Sequence, residues 1–244
     1  MEQEYAIKPA SCKKRNVFKM CRTALLLILI PATILLGARF GGKQYYFVSL
    51  LVILYTMLPV FVFYEKRRPE ARELVLLSVL CAIAVASRAA FIFLPHFKPM
   101  AAIIIIIGVA LGPESGFLAG ALSAFVSNFI FGQGPWTPWQ MFAFGIAGFL
   151  AGLLFQKKLI SRKKLPLCIF GGLCTLLVIG PVLDISALVS LPTAINAQSA
   201  ALIFLSGLPV NAVQSLATVL TLSLVSTPMF EKLDRIKMKY GMGE

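Results

Sequence analysis

Charge is scarce in this chain, and acidic charge is scarcest. Ten Asp and Glu stand against 23 Lys and Arg in 244 residues, and His96 is the only histidine. Enzyme chemistry needs clustered acids, histidines or a paired nucleophile and base, and a transition-metal site needs several ligands at the right spacing. The sequence offers neither, so no catalytic residue, metal ligand or cofactor is assigned. The five cysteines (Cys12, Cys21, Cys81, Cys168, Cys174) form no paired framework. Cys168 and Cys174 share one apolar segment and read as packing residues. A glycine-rich phosphate loop ending in Lys-Ser or Lys-Thr is also missing, which leaves ATP chemistry outside this chain.

What is present is hydrophobicity. With 59% apolar residues, 14% charged residues and a mean hydropathy of +0.86, the chain exceeds any soluble domain. It is an all-α, polytopic membrane bundle. A bilayer core about 30 Å thick takes roughly 20 apolar residues per helix. Spans are predicted at 23–38, 45–64, 74–94, 100–111, 116–131, 139–156, 166–188 and 200–228. Segment 100–111 is short for a full crossing, so it is tilted, broken, or joined to the next at a Gly112-Pro113 turn. The last segment is long enough to kink at Pro209. The expected organisation is a cytoplasmic basic N-terminus (1–22), two additional helices (23–70), a six-helix membrane domain (71–230) and a cytoplasmic basic tail (231–244).

The formal charge of +13 invites a nucleic-acid reading, but its placement argues for topology. Six basic residues precede the first span: Lys8, Lys13, Lys14, Arg15, Lys19 and Arg22. Four follow at Lys66, Arg67, Arg68 and Arg72, five at Lys157, Lys158, Arg162, Lys163 and Lys164, and four at Lys232, Arg235, Lys237 and Lys239. Eight crossings put all four groups on one side of a cell membrane, with both termini cytoplasmic. Arg39, Lys43 and Lys98 fall on the other side and Arg88 within a span. The stretch before Ala38 resembles a signal peptide, but its basic region is long and no clear cleavage site appears, so an uncleaved span is expected.

Residues 101–155 carry the functional signal. There a run of isoleucines meets Gly112-Pro113-Glu114-Ser115-Gly116, then Ser127-Asn128, then Gly132-Gln133-Gly134-Pro135-Trp136-Thr137-Pro138-Trp139-Gln140, and finally Gly145 to Gly152. Small residues, uncharged polar groups and two tryptophans suit an uncharged or weakly charged organic solute held in a helical bundle. Counted along the helices, Arg88, Asp184, Ser127 and Asn128 fall in the outer half of the membrane, below an extracellular turn at 132–138. An intramembrane ionisable group points to function, while mutual neutralisation of Arg88 by Asp184 is the structural alternative. Asn128, Gln133 and Gln140 offer amides beside Trp136 and Trp139, which serve as a lid over a flat ligand or as interfacial anchors. Asn211 and Gln214 share one face of the last span and are second-rank ligand contacts beside ordinary interhelical bonding.

Small residues recur at helical spacing: Ala82, Ala86 and Ala90, then Gly116, Gly120 and Ala124, then Gly145, Gly148 and Gly152. Such stripes bring helix backbones together, within the bundle or against a partner.

The blocks at Arg72 to Phe91, Gly112 to Gly120, Ser127 to Phe129, Gly132 to Met141 and Gly148 to Gly152 resemble S components, the substrate-binding subunits of energy-coupling factor vitamin transporters. Within them the sequence looks most like the group linked to cobalamin uptake. The resemblance covers roughly 70–228, and the Gly-Gln-Gly-Pro-Trp-Thr-Pro-Trp-Gln string is its most specific part. It implies a six-helix bundle that binds a vitamin from outside. It also implies docking through an AxxxA helix (Ala82 and Ala86, or Ala90) on a transmembrane coupling protein driven by two ATPases, with the S component thought to topple. The helices before residue 70 depart from that pattern. A stand-alone secondary transporter would need two related halves and more intramembrane carboxylates than Asp184. An assembly protein would bind no saturable ligand.

Overall fold

The computed structural model describes residues 71–190 and 196–241; the expected spans at 23–38 and 45–64 lie outside these residues. The described residues belong to the compact unit Val60–Glu244. They are helical throughout: α1 (Ala71–Ala90), α2 (Met100–Leu111), α3 (Pro113–Phe131), α4 (Thr137–Gln156), α5 (Lys164–Cys174), a π-helical turn (Thr175–Ile179), α6 (Gly180–Val189) and α7 (Ala197–Tyr240). Five crossings have the length and hydropathy to span a bilayer, counting Lys164–Leu188 as one, and α2 is a shorter apolar helix. A helix satisfies its own backbone, which is what a lipid environment demands.

Helix α2 shows that demand overriding local preference. Five consecutive isoleucines, Ile103 to Ile107, would favour a strand on a soluble protein, yet they form the middle of a 12-residue helix, Met100–Leu111. All five are at most 3% exposed, and α2 touches α1, α3, α4, α5 and α7. Because other helices surround it, α2 need not match the bilayer thickness. Gly112 at φ 106° breaks the helix, and Pro113 restarts the chain at once as the first turn of α3.

Glycines set the closest approaches. A Cβ on Gly108 would lie 2.1 Å from the Gly148 carbonyl oxygen, and one on Gly148 would lie 2.2 Å from that of Gly116. Helices α2, α3 and α4 therefore meet backbone to backbone. The predicted stripes Gly116–Gly120 and Gly145–Gly152 are consumed in this packing, whereas Ala82, Ala86 and Ala90 on α1 are exposed. On the other side of the bundle, Ser215 Oγ donates to the Gly172 carbonyl (2.9 Å) and Thr175 Oγ1 to Thr218 Oγ1 (3.1 Å), joining α5 to α7.

Three boundaries differ from expectation. Helix α1 stops at Ala90 rather than 94, and the following turns are held by Lys98 Nζ, which donates to the Phe91 and Leu94 carbonyls at 2.8 and 3.4 Å. The crossing Lys164–Leu188 widens into a π turn before Gly180-Pro181. Pro181 cannot donate to the carbonyl of Leu177, so the regular ladder fails there. Helix α7 starts from a capping box between Asn196 and Ser199, runs 44 residues through Pro209 and Pro228, and ends at Gly241 in the left-handed conformation. Residues 231–240, expected as a tail, continue this helix.

Among the described residues, basic side chains from three of the four segments gather at one end. Arg162 Nη2 donates to the Val109 carbonyl (2.9 Å), Lys237 Nζ donates to that of Ala110, Arg162 lies 4.0 Å from Asp234, and Arg72 sits over the Tyr240 ring. Two cations thus cover the carbonyl end of α2, where the helix dipole is negative.

Candidate functional site

At the opposite end, α1, α3 and the start of α4 share a polar cluster centred on Asn128, which is 1% exposed. Arg88 Nη1 donates to Ser127 Oγ and to Asn128 Oδ1, at 2.5 and 3.0 Å. Asn128 Nδ2 donates to Gln140 Oε1 (2.8 Å) and Thr137 Oγ1 (3.1 Å). Thr137 Oγ1 donates in turn to Gln133 Oε1 (2.9 Å) and accepts from the Gly134 N–H (3.2 Å). Gln133 Nε2 closes the chain on the Phe125 carbonyl at 3.1 Å. Buried polar groups are costly unless paired, and here one asparagine pairs three elements.

Local sequence explains the placement. Gly132, at φ 98°, ends α3 just beyond Asn128, and α4 opens at Thr137 with Pro138 in its first turn. Only residues 132–136 separate the helices, so Asn128 and Thr137 come into register. Trp136 is 44% exposed and lies against Gly134, where an added Cβ would sit 2.4 Å from its ring. Trp139 is partly exposed in the first turn of α4.

The cationic side of the cluster is aromatic. The Arg88 guanidinium carbon stands 4.3 Å from the Phe131 ring centroid, and Lys98 Nζ stands 5.2 Å from the same ring. Desolvation first, and the charge of Arg88 second, push the Lys98 ammonium below the ordinary lysine value.

Asp184 does not neutralise Arg88. Its Oδ2 accepts from Asn211 Nδ2 at 2.8 Å, and α6 and α7 are close enough there that a Cβ on Gly207 would strike Asp184 and one on Gly180 would strike Asn211. The sequence-predicted residues therefore fall into two groups. Arg88, Asn128, Gln133 and Gln140 form one, with Trp136 and Trp139 beside it in sequence; Asp184 and Asn211 form the other. No hydrogen bond or ion pair joins them among the described residues. Gln214, half-buried on α7, lies outside the bonding of both groups.

Sequence reading missed three members. Thr137 is the hub of the turn, and its position directly after a Gly/Pro-rich stretch was the available signal. Lys98 and Phe131 come together only through the fold, and nothing in their spacing announces it.

These features define a multi-pass helical membrane protein with a polar, aromatic cluster at one end and a basic rim at the other. Residues 69–233 match the model of the ECF-type riboflavin transporter S component family, and the chain belongs to that family of transporter subunits. It is also similar to a UPF0397 protein of Vibrio atlanticus (strain LGP32), 29% identical over 103 residues, covering 41% of this chain and 56% of the relative. The chain thus spans about half the length of that curated relative. No solved structure matches it.

Proposed function

We propose that this chain is the substrate-binding subunit of an ATP-driven energy-coupling factor importer. It takes a vitamin or related micronutrient at the Asn128 end and delivers it through a transmembrane coupling protein worked by two ATPases. By the positive-inside rule the basic rim is cytoplasmic, which puts the Asn128 cluster on the outer side.

The observation that carries this reading, beyond family membership, is the fate of the small-residue stripes. Those on α3 and α4 are spent inside the bundle, while Ala82, Ala86 and Ala90 remain exposed on α1. Val75 and Val79 flank them at 64% and 52% exposure. A smooth, small-residue ridge of this kind admits a close helix from a partner, and it is the proposed docking face for the coupling protein.

The bonding pattern refines the roles of the polar residues. Asn128, Gln133 and Thr137 hold the turn, Trp136 and Trp139 cover the ligand, and Arg88 and Gln140 keep N–H groups for it. Asp184 and Asn211, with Gln214 on the same helix, form a second polar face between α6 and α7. For the ligand itself, the sequence resemblance favours cobalamin or another corrinoid, whereas the family description names riboflavin.

The test is purification of the tagged chain from its native membrane in mild detergent, with mass spectrometry of co-purified proteins and small molecules. Two ATPases and a membrane coupling protein are expected, together with one vitamin. Isolation without them, while other S components from the same membranes keep their partners, would refute the proposal.

A further inference from the structure

Arg88 is half-buried on a membrane-spanning helix, yet among the described residues the groups that bond to it or stack on it carry no negative charge. Its Nη1 is engaged by Ser127 and Asn128, its face by Phe131, and Asp184 is held elsewhere by Asn211. Lys98 adds a second cation over the same ring. Two like charges sharing one aromatic ring and no carboxylate are an unbalanced arrangement at a partly desolvated site.

The groups without any partner are of one kind. Asn128 Oδ1, Gln140 Oε1, Gln133 Oε1, Ser127 Oγ and Thr137 Oγ1 each already accept a hydrogen bond. Those with no hydrogen bond among the described residues are donors: Gln140 Nε2, a third proton on Lys98, and the Nε and Nη2 edge of Arg88. That guanidinium edge grips a carboxylate or phosphate with two parallel bonds. A cluster whose unbonded groups are donors, beside two cations and an aromatic face, selects an acceptor-rich anion.

We infer that Arg88 and Lys98, over the Phe131 ring, form a receptor for an oxyanion, a phosphate or carboxylate group carried by the transported solute. This revises the expectation of an uncharged or weakly charged ligand. It rests on the proposal that the Asn128 end binds solute, and it goes further by naming the group recognised.

The experiment places the full chain in phosphatidylcholine nanodiscs and measures thermal stability and calorimetric binding with inorganic phosphate and pyrophosphate, against chloride at matched ionic strength. Wild type should be stabilised by the phosphates, and Arg88→Gln and Lys98→Gln should each weaken the apparent affinity about tenfold or more, the value of one charge-assisted hydrogen bond. Lys98→Gln keeps the test decisive if Arg88→Gln folds poorly, because Lys98 bonds to the Phe91 and Leu94 carbonyls of one exposed turn, to which a glutamine N–H can still donate, and leaves the Asn128 hydrogen bonds untouched. A second arm replaces part of the lipid with phosphatidylglycerol and omits free anion. Stabilisation by that lipid alone would make a headgroup the occupant and overturn the assignment to the solute. No response to either anion source, or a response in both variants equal to that of wild type, would overturn the site. Co-purification of the coupling proteins is scored on the same preparations: partners kept without any anion effect refute this inference alone, whereas partners absent from wild type refute the importer reading.

Discussion

Replacing Gly148 with alanine tests whether backbone contact among α2, α3 and α4 holds the bundle. The added Cβ would lie 2.2 Å from the Gly116 carbonyl oxygen, 2.6 Å from its carbonyl carbon and 3.0 Å from Ile104 Cγ2. Two of these three atoms are main chain, so no rotamer change relieves the overlap and the helices must part by roughly 1 Å, a gap that forfeits a quarter to a half of each affected dispersion contact. Overpacking of this sort costs about 1–3 kcal/mol. Alanine's better helix propensity returns at most about 1 kcal/mol. The net expectation is a loss of about 1–2 kcal/mol, seen as a fall of roughly 2–8 °C in the unfolding midpoint of the detergent-solubilised protein. Gly172→Ala is the control, because its nearest neighbours are the Val219 Cγ2 and Ser215 Oγ side-chain atoms at 2.9 and 3.3 Å. It should cost less, because side-chain atoms and no main chain stand in the way. If Gly148→Ala proved no less stable than Gly172→Ala, the close crossing would be refuted.

Four further outcomes follow from the same geometry. Asn128→Leu removes the link between Arg88, Thr137 and Gln140, so solute binding should fall more than about tenfold and proteolysis at 132–136 should accelerate. Replacing Ala82 and Ala86 together with phenylalanine should abolish co-purification of the coupling protein while leaving solute affinity unchanged; equal loss of both would mean that these alanines serve the fold. Arg162→Ala with Lys237→Met exposes the carbonyl end of α2 and should cost about 1–2 kcal/mol, with faster amide exchange near residue 110. Because Lys98 titrates below an ordinary lysine, anion binding should weaken as pH rises, and begin to do so before the usual lysine range. A binding profile flat to the ordinary lysine range would remove Lys98 from the site.

The membrane class, the crossings from α1 to α7 and their common basic end were legible because hydropathy and charge placement are local properties. Helix termini were legible where glycine or proline marks them, as at Gly112-Pro113 and Gly132. The end of α7 was not, since the contacts of Lys237 and Tyr240 are made across the fold, nor was that of α1, where Lys98 closes a turn on carbonyls a few residues back that no glycine or proline before Phe91 marks. For the site, nine residues were expected together from Arg88 to Gln214, and of these Arg88, Asn128, Gln133 and Gln140 share one hydrogen-bonded cluster. Its division from Asp184 and Asn211 was not legible, because residues at one depth in a bundle can still face different helices. Which acceptors are already spent is likewise a property of the assembled structure. An inventory of side-chain types suggested amides available to a ligand, and the hydrogen bonds show most of them holding a turn.

The isoleucine run of α2 bears on how any cargo gets through. Ile103 to Ile107 fill the centre of the described bundle with branched hydrocarbon that is almost wholly sheltered, and branched side chains have few rotamers by which to swing aside. Such a run is an electrical insulator, since its side chains offer ions and water no polar group to step along. For the importer proposed above, a passenger would then be carried past this plug by movement of helices rather than diffuse through it.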